Sequence, residues 1–147
     1  MSYEPKRILT DILVNQISAT SEKDPRLAVL KDGRMVAVWS SPHESADLGL
    51  DGWDIANSYF RILGADGRPQ GDVVRINSVR VGSQVHAEVA ALPDGGFVVT
   101  YTGIPQKSGP AQIGFQRFDA TGAPVGAETL VSDDMSTFAA VNPAIAV

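Results

Sequence analysis

The chain contains no cysteine, which excludes a disulfide scaffold, a CxxC zinc site and a thiol nucleophile. Basic charge is scarce: 12 Lys and Arg stand against 17 Asp and Glu, for a formal net charge of −5. That balance argues against nucleic acid as a partner, because a phosphate backbone needs a basic patch. Long apolar runs are also missing. Runs such as Phe138 to Val141 fall far short of a membrane-spanning helix. No stretch sustains a 3.6-residue period, so helix is expected to be nearly absent. The opening MSYEPKR has neither an apolar core nor a small-residue cleavage site, so no Sec-type signal is expected, and export through a C-terminal address stays open. The rest is of ordinary globular composition, 44% hydrophobic and 20% charged over 147 residues. At that length folding buries about 70% of the surface an unfolded chain exposes. No linker divides the chain, and one domain is expected over residues 1–147.

An internal repeat organises the chain. Asp24 to Trp39 (DPRLAVLKDGRMVAVW) matches His86 to Tyr101 (HAEVAALPDGGFVVTY) at an offset of 62, with Ala28/Ala90, Leu30/Leu92, Asp32/Asp94, Gly33/Gly95 and Val36/Val98 identical. Val14 to Ser18 (VNQIS) matches Ile76 to Arg80 (INSVR), and Gly64 to Gly71 (GADGRPQG) matches Asp119 to Gly126 (DATGAPVG). Asn142 to Val147 (NPAIAV) resembles Asp24 to Val29 and opens a third copy. The repeats run over about 14–75 and 76–131, with the start of a third at 132–147.

Each repeat has the periodicity of strands. RLAVL and MVAVW flank Lys31-Asp32-Gly33-Arg34, and EVAAL and FVVTY flank Pro93-Asp94-Gly95-Gly96; Asp-Gly between β-rich runs is a strong hairpin signal. Third strands are expected at Ile55–Leu63 and Gln112–Phe118, and fourth strands at Asp72–Asn77 and Glu128–Ser132, after turns marked by Gly67 with Pro69 and Gly122 with Pro124. The expected fold is all-β. Four short antiparallel strands per repeat fit a β-propeller blade, which is covered on both faces and so carries apolar residues on both. A β-sandwich built from the same strands is the alternative.

These residues resemble a bacterial blade repeat of the form LxDGGFVVxW … QRFDxxGxPxG. LPDGGFVVTY and IGFQRFDATGAPVG in the second repeat match it closely, and LKDGRMVAVW with RILGADGRPQG in the first match it more loosely. Such repeats occur in large secreted proteobacterial proteins that also carry hemolysin-type calcium-binding (RTX) segments. The resemblance covers about Ile12 to Val147 and implies a propeller-type architecture with an extracellular or cell-surface location, not an activity. The RTX nonapeptide GGxGxDxUx is missing here, so calcium binding of that kind does not follow. Arg7 to Val14 (RILTDILV) take the place of a preceding blade's last strand, and Thr137 to Val147 that of a following blade's first. Two blades are too few to close a propeller of typically about 4 to 8. The expectation is therefore a homo-oligomer closed by terminal strands, or a portion of a longer repeat array.

Candidate chemistry gathers in Ser40 to Asp54 (SSPHESADLGLDGWD), a loop with no acidic counterpart in Thr102 to Gln112. Asp47, Asp51 and Asp54 are the candidate ligands for Ca²⁺, a cation that takes oxygen donors from flexible loops; the competing reading is a solvated acidic loop. Trp53 has no repeat counterpart and, with Tyr59 and His43, is the candidate platform for a carbohydrate ring; alternatively it caps the core. His43 beside Glu44 also invites a general-base role, but no nucleophile converges on it by sequence, and no GxSxG is present. Trp39 and Tyr101 align and are expected to be structural, as is Phe60 opposite Phe115. Arg61 and Arg117 are expected in inter-blade ion pairs. The functional expectation is a non-enzymatic binding or assembly module. A structural subunit of a larger surface or phage-like assembly comes next, and a hydrolase using the loop carboxylates last.

Overall fold

The structure is a computed structural model and describes residues 11–16, 21–42, 56–78, 82–104, 109–131 and 142–146. Eight strands form, and among the described residues there is no helix: β1 Lys23–Val29, β2 Met35–Ser41, β3 Asn57–Leu63, β4 Pro69–Arg75, β5 Ser83–Ala91, β6 Phe97–Ile104, β7 Gln112–Phe118 and β8 Pro124–Leu130. They make two open four-stranded antiparallel meanders, β1-β2-β3-β4 and β5-β6-β7-β8. All eight expected strands are present. The terminal stretches expected to add strands are described over 11–14 and 142–146, and they join no ladder there.

Four hairpins share one turn. Leu30 N–H bonds Arg34 O at 2.8 Å while Gly33 N–H bonds Leu30 O at 3.0 Å, and the same pair of bonds recurs at Gly64–Arg68, Leu92–Gly96 and Asp119–Ala123. The glycine after each tight turn has positive φ, between 80° and 94° at Gly33, Gly67, Gly95 and Gly122. This is a four-residue turn followed by a left-handed residue, not a two-residue hairpin centred on Asp-Gly, and glycine supplies that conformation without a Cβ clash. The ladder therefore resumes at once, and β4 and β8 begin at Pro69 and Pro124, earlier than the apolar pattern suggests.

The irregularities repeat as faithfully as the strands. A register shift lies between Lys23 and Arg26 and again between Val85 and Glu88. Asp24 and His86 sit at those bulges with φ of 53° and 54°, and Asn142 has φ 54° at the matching position of the third copy. Asp, His and Asn are the non-glycine residues most enriched in the left-handed region, which fits all three. A second shift lies between Phe60 and Ile62 and between Phe115 and Arg117, opposite Gly71 and Gly126 with φ 76° and 75°. Arg61 Nε bonds Gly71 O at 2.9 Å, and Gln116 Nε2 reaches Gly126 O at 3.3 Å, so different side chains brace the same bulge.

The two sheets bury one shared core. Sheet one contributes Leu30, Val36, Val38, Phe60 and Ile62; sheet two contributes Ala87, Phe97, Val99, Tyr101 and Phe118. At its centre Phe60 meets Phe97 and Phe118 edge-on, with centroids 5.1 and 4.8 Å apart, while the latter two stack across β6 and β7 at 5.1 Å. The repeat counterparts of sheet one's core residues are Leu92, Val98, Thr100, Phe115 and Arg117, none of which belongs to this core. Counterparts of sheet two's core residues, such as Met35, Ala37 and Trp39, likewise lie on the far face of sheet one. Side chains alternate between faces along a strand, so the joint brings together unlike faces of two like sheets.

Tyr101 lies over Gly114 across β6 and β7, where a Cβ on Gly114 would stand 2.5 Å from the phenol ring. A Cβ on Gly103 would meet only Gln112 O at 3.8 Å. Gly114→Ala is expected to destabilise by about 1–3 kcal/mol through overpacking. Gly103→Ala is expected to change stability by less than about 0.5 kcal/mol. Urea unfolding followed by tryptophan fluorescence compares the two.

Candidate functional site

The stem of the long loop is built from both sheets. β2 ends at Ser41, paired with Asn57 at the start of β3, and Ser40 pairs with Ser58. These serines are buried, and the chain passing from β4 to β5 returns over them. Ile76 N–H bonds Ser58 O at 2.9 Å, and the buried Asn77 donates through Nδ2 to Asn57 Oδ1 at 3.0 Å and Gln84 Oε1 at 2.9 Å. Gln84 N–H bonds Ala56 O at 2.7 Å, and Ser58 Oγ donates to Gln84 O at 3.0 Å. A satisfied polar network of this kind rigidifies the place where it is buried. It holds the root of the loop against the second sheet. Ser40 Oγ, 3% exposed as a residue, has no hydrogen-bond partner among the described residues.

Of the residues singled out for ligand chemistry, His43, Trp53, Asp47, Asp51 and Asp54 lie outside the described residues. Tyr59 lies on β3 between Trp39 and Arg75 and is 1% exposed, so no face of its ring is open to a sugar. Its burial follows from the repeat: Trp39 and Tyr59 fill the two cross-strand positions that Tyr101 and Gly114 fill in sheet two. Trp39 and Tyr101, at 4% and 2% exposure, are structural as expected. Among the described residues, no group of three His, Asp or Glu side chains is placed to hold a metal ion.

The expected inter-blade arginine pairs are made by other residues. Arg61 donates to Gly71 O and to Val14 O at 2.8 Å, and Arg117 pairs with Asp94 inside its own sheet. The pair that crosses the joint is Arg26 Nε with Glu88 Oε1 at 2.7 Å, two residues in equivalent positions of the two repeats. Asp24 and His86, also equivalent, approach to 3.8 Å. Arg34 adds a bond from Nη2 to Ala120 O at 2.7 Å. Neither composition nor periodicity marks the roles of Asn77 and Arg26. The signal for Asn77 was the recurring Asn of VNQIS and INSVR, which was visible as a repeat but carried no assigned task.

The perturbed carboxylates are all in turns. Arg34 bonds Asp32, first through its side chain and then through its backbone N–H, and holds that carboxyl below its ordinary value near 3.8. Asp94 is lowered by the Gly96 N–H and then by Arg117. Asp119 is lowered by the Thr121 hydroxyl and then by the Thr121 and Ala123 N–H groups. The fourth turn thus moves its aspartate two places earlier, from the position before Gly to the start of the turn, and caps the same backbone.

No protein-family model matches the chain, and no curated protein matches it. A solved structure similar to it is the crystal structure of endo-arabinase from Bacteroides thetaiotaomicron VPI-5482, with a TM-score of 0.50 and 16% identity, the match covering 81% of this chain and 46% of that one. The chain spans about half the length of that structure, and the likeness is one of fold.

The turn aspartates set a pH dependence. Their folded pKa values lie below the unfolded value near 3.8, so their contribution is present above that pH and is lost as pH falls through the folded values. Asp119→Asn is expected to flatten the fall in Tm below about pH 4. Thermal unfolding between pH 2 and 6 checks this; an unchanged acid limb contradicts it.

Proposed function

We propose that this chain is a non-enzymatic binding and assembly module built from two propeller-type blades, with the Ser40–Asp54 loop as its recognition element. The observation that carries the reading is the joint of unlike faces. Two sheets of a sandwich related by a two-fold axis would present equivalent residues to each other, whereas stacked blades present the front of one to the back of the next. Here the core residues of one sheet have their counterparts on the far face of the other. The equivalent positions that do meet, Arg26 with Glu88 and Asp24 with His86, do so on the first strand of each sheet. That fits strands lining a common axis.

Carbohydrate is the ligand class to test first. Trp53 and His43 offer a flat apolar body and a polar tip, and the polar clasp of Asn57, Asn77 and Gln84 supports the root of their loop. The likeness of fold to an endo-arabinase supports the choice of polysaccharide as the first probe. Asp47, Asp51 and Asp54 are the proposed Ca²⁺ ligands of the same loop, and the location proposed is extracellular or on the cell surface.

Soluble arabinan and other surface polysaccharides, titrated calorimetrically with and without Ca²⁺, test the reading. Trp53→Ala is expected to lower affinity at least about tenfold while leaving the unfolding midpoint in place. Release of reducing ends by the wild-type chain, lost on Asp51→Asn or Asp54→Asn, would replace the binding module with a hydrolase.

A further inference from the structure

The geometry points to head-to-tail self-association: the far face of sheet two is a second socket for the far face of sheet one of another copy. The inference rests on the blade reading and extends the internal joint by one step. Inside the molecule, Val89 and Ala91 of β5 pack against the shared core. Their counterparts on β1 are Leu27 and Val29, which stand 56% and 62% exposed on the far face of sheet one. Met35, the counterpart of Phe97, shares that face and is half-buried. On that face Trp39, Tyr59 and Leu63 are buried, and the part over β1 stays exposed at Leu27 and Val29.

The complementary surface exists on the same chain. The internal socket for Phe97 and Phe118 is formed by Leu30, Val36, Phe60 and Ile62 of sheet one. Its counterpart on sheet two is an open hollow of about 410 Å³ lined by Leu92, Val98 and Phe115, with Pro93, Asp94 and Arg117 at its rim. Nearby, Thr100 replaces Val38, and its buried Oγ1 has no hydrogen-bond partner among the described residues. Charge favours a second copy as the occupant. Glu88 already pairs with Arg26 across the internal joint, and the same stacking brings Arg26 of the next copy to the other side of Glu88. Arg and Glu then alternate along the stack, and His86 faces Asp24 of the next copy in the same way.

The chain's own third repeat competes for this place. Asn142, left-handed like His86, bonds Thr102 Oγ1 through its N–H at 3.2 Å, so the start of the third copy touches sheet two. Residues 142–146 form no ladder there, and Ala144 stands where the repeat has Arg26 and Glu88, bringing Glu88 no charge. β1 arrives with its sheet and its arginine, and it displaces them.

The joint is heterologous, so blocking either face caps a stack but leaves the other face competent. Leu27→Lys with Val29→Lys blocks sheet one at exposed positions, where folding is little affected. Phe115→Lys blocks sheet two, and the exposed Arg117→Glu does so should Phe115→Lys unfold. Light scattering over a concentration series is expected to give assemblies of more than two copies for the wild type and monomers for each variant alone. An equimolar mixture of the two variants is expected to form one-to-one dimers. Deleting 142–147 is expected to lower the concentration needed for assembly by about tenfold, a change of about 1.4 kcal/mol. A wild type and deletion variant that both stay monomeric overturn the inference, as do face variants that assemble normally or a mixture that forms no dimer. Hydrogen exchange on the same monomers separates the two readings. Protected amides in β6 leave the blade joint standing, and unprotected ones remove it as well.

Discussion

The contact of Phe60 with Phe97 and Phe118 is the interaction on which the rest of the structure depends. Neither sheet has a second side of its own to bury these rings, and a single four-stranded meander gains its stability from the sheet packed on it. Burying one phenylalanine contributes about 1.5–3 kcal/mol, and the edge-on aromatic geometry adds about 0.5–1.5 kcal/mol for a pair. The surroundings are arranged to permit the contact. Gly122, at the turn between β7 and β8, sits where a Cβ would be 3.2 Å from both Phe60 and Ile62, so the turn itself lies on sheet one. Arg34 then ties that turn down through Ala120 O.

Differences between the repeats follow from this joint. Where sheet one has Val38 and Ile62 beneath the second sheet, sheet two has Thr100 and Arg117 on a face left partly open. Where sheet two has Phe97 and Val89 inside, sheet one has Met35 and Leu27 outside. The residues still form a graded series. Both far faces keep exposed or half-buried apolar side chains, Leu27, Val29 and Met35 on sheet one and Phe115 on sheet two. Asp24 and His86 at the first-strand bulges, and Asn142 at the matching sequence position, hold one conformation with three different side chains.

Much of this was legible in the residues, and the rest was not for definite reasons. Hairpins were legible because Asp32-Gly33 and Asp94-Gly95 act locally, through a carboxylate that caps nearby N–H groups and a glycine free to take positive φ. Strands such as FVVTY were legible as strands, but being apolar on both faces they did not say which face turns inward. That choice depends on a distant partner, Phe60 of the other sheet for Phe97. The bulges were hidden because Asp24 and His86 are not glycines, and because a register shift leaves no mark in hydropathy. Strand position alone suggests Arg61 and Arg117 as bridges between the sheets, yet Arg61 braces a bulge and Arg117 holds a turn; Arg26, on an edge strand, makes the bridge. The pattern that offers Tyr59 to a ligand beside Trp53 and His43 carries no sign of the cross-strand pairing with Trp39 that accompanies its burial.

The measurement that tests the central claim most directly is a pair of double-mutant cycles on unfolding free energy. One combines Phe60→Leu with Phe118→Leu, and the other combines Phe60→Leu with Phe115→Leu. Residues in contact couple and separated ones add. If unlike faces meet, the first pair couples by about 0.5–1.5 kcal/mol and the second is additive within about 0.3–0.5 kcal/mol. Coupling of Phe60 to its own repeat counterpart Phe115, with none to Phe118, would mean that like faces meet, and the stacked-blade account would be wrong.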